Sequence, residues 1–280
     1  MHLSFAALLC LLPLCSAGPA PAQQAAPLPD PRQLLQQVSE HQRQLDKVRE
    51  NYTYTSFSIT EDVDANGRVT HSENEETENF FVNGHEIARL VKKDGKPLAG
   101  KDLEKETERV TKRVEKASST PAGQHLDQNA ISIHKLLDLM ELRNPQRLNY
   151  RGRATIQFDF VGRRELKAHG MEEDLSKKLE GSLWVDEADR QVARLEVRLT
   201  DNFHVAGGLF ANIQKGSSFA FEQTPVSGGL WLPTAGEGSM QARLLLVKGI
   251  RQRFHERSYD FKRFHAEAEQ GKDVKVVGGK

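Results

Sequence analysis

Asp186, Glu187 and Asp189 crowd into four residues of the stretch GSLWVDEADRQVARLEVRL, 181–199. Carboxylates this close could divide acid and base work between them or hold a divalent cation. The flanking pattern gives them a different role. Ala193, Leu195, Val197 and Leu199 alternate with Arg194, Glu196 and Arg198, the period of a strand with one buried and one solvated face. The DEADR segment then sits at the turn of a hairpin, where aspartate supplies local hydrogen bonds. A calcium loop needs ligands at alternating positions, a glycine and a distal glutamate, and the stretch has none of these in place. Adjacent Asp186 and Glu187 also point to opposite faces wherever the strand persists, which makes them a poor catalytic pair.

Other chemistry finds little support. The histidines are scattered without an H-x3-H or H-E-x-x-H spacing, and His255-Glu256 meets Tyr259 where a second zinc-binding histidine would stand. There is no G-x-S-x-G, and Gly216-Ser217-Ser218 lies in a strand pattern. Gly207-Gly208 and Gly236-Glu237-Gly238 open no helix, so neither is a phosphate loop. Neither a metal nor a cofactor is expected. Basic clusters stand at 147–153, 162–164 and 248–263, the last interleaved with aromatics, yet Lys+Arg and Asp+Glu both number 39. With no net field, and with the acidic run 73–79 to pair with them, these clusters read as solvated sheet faces and not as a nucleic-acid surface.

The elements that would position any site follow from the pattern. Residues 3–15 are a short apolar run followed by Ala20-Pro21-Ala22, the form of a secretory signal peptide over 1–22. Both cysteines, Cys10 and Cys15, fall inside it, so the mature chain is expected to lack disulfides and thiolate chemistry. Export to the periplasm or secretion follows, and no later run is long enough for a transmembrane helix. A Pro/Ala-rich linker occupies 23–31, one domain 32–265, and a polar tail 266–280. Asp30-Pro31 opens an amphipathic helix to about residue 50. Strands are predicted near 52–62, 68–82 and 85–92, with turns at DANG, VNGH and KKDGK. A charged helix spans 101–118 and a more apolar one 127–142, ended by NPQ at 144–146. Beyond it come strands at 154–162, the 181–199 hairpin, 208–223, 238–248 and 250–264, with Pro225 and Pro233 in a connection.

This order of elements resembles the LolA/LolB-like lipoprotein carrier superfamily. The likeness is sharpest in GSLWVD-(x6)-VARLEV (181–197), and looser in GGLWLP (228–233) and YDFKRF (259–264). It implies an α+β fold in which a curved antiparallel sheet forms an incomplete barrel, with helices covering its concave face. It also implies a non-catalytic carrier whose apolar cavity shelters a lipid or a lipoprotein acyl chain, with envelope membrane proteins as further partners. Strand alternation nominates Ile156, Phe158, Phe160, Leu183, Val185, Leu195, Val197, Leu199, Phe219 and Phe221 for that cavity. Ile133, Leu136, Leu137 and Met140 are expected on a lid helix. Two other classes stay open: an envelope scaffold of the same fold with a filled core, and a hydrolase built from dispersed His and Asp residues.

Overall fold

The computed structural model describes residues 27–121, 124, 126, 137–165, 170–205, 211–226, 229–244 and 248–263. The signal-peptide segment, the first four residues of the linker, the tail, and Ile133 and Leu136 lie outside the described residues. Helix α1, Pro31–Arg49, starts as the sequence predicts: the Asp30 side chain accepts a hydrogen bond from the Gln33 N–H, and Pro31 needs no donor at the first position. A meander follows in β1 (Tyr52–Val63), β2 (Val69–Val82), β3 (His85–Lys93) and the short β4 (Lys96–Pro97). The β2–β3 turn places both Asn83 and Gly84 at positive φ, the geometry that an Asn-Gly hairpin favours.

Helix α2, Gly100–Ser119, packs Val110, Val114 and Ala117 against Phe80, Val82 and Ile87. It also closes the exposed edge of β3 with side chains. Glu106 accepts from the Leu90 N–H at 2.6 Å, while Arg109 donates to the Ala88 carbonyl at 2.5 Å and grips Glu106 at 2.7 Å. A strand edge left bare would invite another chain. Glu106→Ala is therefore expected to cost about 1–3 kcal/mol, the desolvation penalty of an orphaned donor, and to promote self-association. Glu106→Gln, which keeps an acceptor, should retain most of the stability; denaturant midpoints and light scattering check both.

The remaining strands are β5 (Met140–Tyr150), β6 (Arg153–Gly162), β7 (Leu179–Asp186), β8 (Val192–Leu199), β9 (Phe203–Val205), β10 (Ala211–Ile213), β11 (Ser218–Pro225), β12 (Trp231–Leu244) and β13 (Lys248–Arg263), with the short α3 at Met171–Ser176. Among the described residues they form one sheet in the order β4-β3-β2-β1-β13-β12-β11-β8-β7-β6-β5, with β10 attached to β12 and β9 to β10. Every pairing is antiparallel, and β1 docks on β13, so the first and last long strands meet in the middle. The two ends of the order, β4 and β5, are not paired with each other. The fold is an incomplete curved barrel with helices.

Four local expectations are corrected. The apolar helix does not run to 142: Leu137 and Asp138 are helical, but Met140 begins β5 and pairs with Gly162. Asn144-Pro145 is not a helix stop. It is an irregularity in β5, an edge strand, where proline's missing donor is tolerated. The 208–223 strand is divided between β10 and β11. Pro233 lies within β12, beside the register shift that pairs it with Gln223, and not in a connection; a bulge is the other place a strand admits proline.

Candidate functional site

Register assembles the apolar face row by row. Phe158, Leu183, Leu195 and Phe221 are successive partners across β6, β7, β8 and β11. Phe160, Gly181, Val197 and Phe219 form the next row. The ten nominated strand residues then divide. Ile156, Phe158, Phe160, Leu183, Val185, Leu195, Leu199 and Phe221 are buried in one cluster with Leu34, Leu35 and Val38 of α1, and Leu137 and Met140 join them, so Leu195 and Leu199 reach the trough only as its floor. That half of the face is a filled core. Phe219 is 41% exposed, and with Leu195, Val197 and Leu199 it lines an open trough of about 460 Å³. The other walls are Leu175, Leu179, Phe203, Ile213, Met240 and Phe254, and the polar contribution comes from Ser217, Ser218 and Ser239.

Glycine shapes one wall of the trough. Gly238 of β12 pairs with both Phe219 and Phe254, and a Cβ there would lie 2.4 Å from the Phe254 ring. The bare backbone lets Phe254 lie across the strand. Phe221, Phe219 and Phe254 thereby form a row of stacked rings, each 6.1 Å from the next, a favourable offset geometry. Past Phe254 the same face turns polar, with Thr60 opposite it and Ser58 opposite Glu256. Burial pushes the Glu256 carboxyl up, and the Glu86 charge adds to this against the hydrogen bond with Ser56.

The opposite face of the sheet is ionic and neutralises itself. Arg194 binds Glu196 at 2.6 Å, Glu222 at 2.5 Å and Glu237 at 2.9 Å. Burial works against its charge, and the hydrogen bonds with Glu237, Glu196 and Glu222 outweigh that, so Arg194 is held cationic. Tyr150 donates to Glu222 at 2.6 Å, Arg151 pairs with the same carboxylate at 2.5 Å, and His255 stands 3.8 Å from Glu237. His41 and His85 contact backbone carbonyls. Among the described residues no group of three His, Cys, Asp or Glu side chains could hold a metal ion.

The carboxylates of the hairpin tip are tied into the frame. Asp186 accepts from Arg153 at 2.5 and 3.0 Å and from the N–H groups of Ala188 and Asp189. Asp189 accepts from Arg153 and from Trp231 Nε1, and Arg147 forks onto Glu187. Sequence reasoning saw the turn but not Arg153, Arg147 or Trp231, because the bonds span tens of residues. Trp184 lies on the face opposite Leu183, near Tyr150, as alternation requires. Ala193 departs from alternation: a register shift after Trp184 pairs Val185 with Val192 and moves Ala193 into a cluster with Leu45, Trp231 and Leu232.

No protein-family description matches the chain, and no curated protein matches it. Among solved structures it is similar to the crystal structure of a DUF1329 family protein from Desulfovibrio piger, at 11% sequence identity and a TM-score of 0.34, over 84% of this chain and 94% of that one.

Proposed function

We propose that the protein is an exported, non-catalytic binding protein that shelters an acyl chain of a lipid or lipoprotein in the trough between β8, β11, α3 and the β9–β10 hairpin. The observation that carries this reading is the lining. An open concavity of about 460 Å³ bounded by Leu195, Val197, Leu199, Phe203, Phe219 and Phe254 exposes almost only carbon, and that volume and apolar lining suit a small-molecule site. Transfer of a chain from water gains roughly 0.8 kcal/mol per buried CH2, enough for reversible carriage with no bond made or broken. The filled half of the face, under α1, gives the trough a rigid wall.

The test is a titration of delipidated protein with a polyene fatty acid whose emission rises when water is excluded. Phe219→Glu is the informative variant, because the side chain is already 41% exposed and a carboxylate there keeps access to water; circular dichroism checks that the variant stays folded. Affinity is expected to fall at least about tenfold, since the chain must then lie against a carboxylate it cannot solvate. Equal affinity in Phe219→Glu and the parent protein would sink the assignment and favour a scaffold with a filled core.

A further inference from the structure

We infer that the occupant of the trough is a single-chain carboxylate, a free fatty acid, whose head group is read by Lys178. This rests on the acyl-chain reading and narrows it. Size comes first. A trough of about 460 Å³ has room for on the order of 15 groups the size of a water molecule, at roughly 30 Å³ each. One medium-length chain fills it; the paired chains of a diacyl lipid exceed it.

Charge gives the orientation. Lys178 lies between Leu175 and Leu179, both of which line the trough, and its ammonium stands 5.5 Å from the ring centroid of Phe203, another lining residue. Its backbone is pinned: the Lys178 N–H donates to the Leu175 carbonyl, and the Lys178 carbonyl accepts from both the N–H and the hydroxyl of Thr200. The cation is thus set at one margin by the fold. The opposite margin, past Phe254, leads to Thr60 and Glu256, where a carboxylate head would meet a second carboxylate. A chain entering with its head toward Lys178 buries carbon along Leu199, Val197 and Phe219 and leaves its charge beside the ammonium. Lys178 already holds Asp174 at 3.2 Å, with that carboxylate 45% exposed, so a fatty-acid head competes with Asp174 for donors that an ammonium has to spare.

That competition makes the assignment testable with two variants of opposite sign. Tetradecanoic acid and methyl tetradecanoate are titrated into delipidated parent protein, Lys178→Met and Asp174→Asn by calorimetry. The parent is expected to prefer the acid. Lys178→Met should weaken the acid about tenfold while leaving the ester unchanged, the loss of a charge-assisted hydrogen bond. Asp174→Asn should bind the acid more tightly and the ester as before, an effect that general damage to the fold cannot produce. Equal affinities for acid and ester in all three proteins would overturn the role of Lys178 and leave the trough reading standing. Failure of both ligands to bind the parent would overturn both.

Discussion

Asp186→Ala is expected to destabilise the protein by about 3 kcal/mol, the lower end of the range for breaking a buried ion pair. The Asp186 side chain is 1% exposed. It is the only carboxylate at the hairpin tip to combine two bonds from Arg153 with two from backbone N–H groups. Its removal orphans the Ala188 and Asp189 N–H groups and Arg153 Nε, while Arg153 Nη2 keeps its bond to Asp189. The lower end applies because Arg153 is 39% exposed, so water can take over part of its charge. Arg153 also lies over the Trp231 ring at 5.3 Å, and that contact should loosen in the variant.

The same group sets an acid limit. Burial alone would raise the Asp186 carboxyl, but the bonds from Arg153, Asp189 and Ala188 together outweigh it and hold the pKa below the ordinary 3.8. A carboxyl whose folded pKa is depressed stabilises the fold above its unfolded pKa and loses that contribution as pH falls through the folded one. The part of stability due to Asp186 is therefore complete at neutral pH and disappears below about pH 4. Urea midpoints from pH 7 down to pH 3 should fall for the parent and be flatter for Asp186→Asn. Parallel curves would contradict the structural role given to this carboxylate.

Gly181→Ala is expected to be at least as damaging, for a steric reason. A Cβ at 181 would lie 1.8 Å from the Glu196 carbonyl oxygen and 2.8 Å from the Phe160 ring. The first obstacle is backbone and cannot rotate away. Ordinary overpacking costs about 1–3 kcal/mol, and a clash with the neighbouring strand should exceed it. Gly236→Ala is the control on the same face of the same sheet: its nearest neighbours would be 3.9 and 4.0 Å away, so near-neutral stability is expected. Loss of soluble protein for Gly181→Ala alongside an unaffected Gly236→Ala would fit; equal midpoints would refute the close approach.

Gly181 and Asp186 show what could be read from the chain and what could not. The hairpin itself is local: alternation in Leu195–Leu199 and the aspartate-rich turn suffice, and β7 and β8 formed as their pattern requires. Helices α1 and α2 and the Asn-Gly and Asp-Gly turns were legible for the same reason. What failed was whatever depended on a partner far along the chain. Met140 carries helical propensity, yet pairing with Gly162 makes it a strand. The bulge that diverts Ala193 exists only relative to β7. The division of the apolar face into filled core and open trough is equally invisible in alternation, which treats Phe158 and Phe219 alike. Only the placement of α1 over one half and of α3 and the β9–β10 hairpin at the other separates them. Lys178, charged and next to a helix end, gave no sequence signal at all.

The most direct test of the trough is what it holds when the protein is first purified. Native mass spectrometry of the full chain, purified without detergent, should show the protein mass plus one single-chain acyl species. Val197→Trp, which places an indole where the chain would lie, should show the bare mass while keeping the parent's circular dichroism. A bare parent protein, or the same adduct retained at full occupancy in Val197→Trp, would contradict the account.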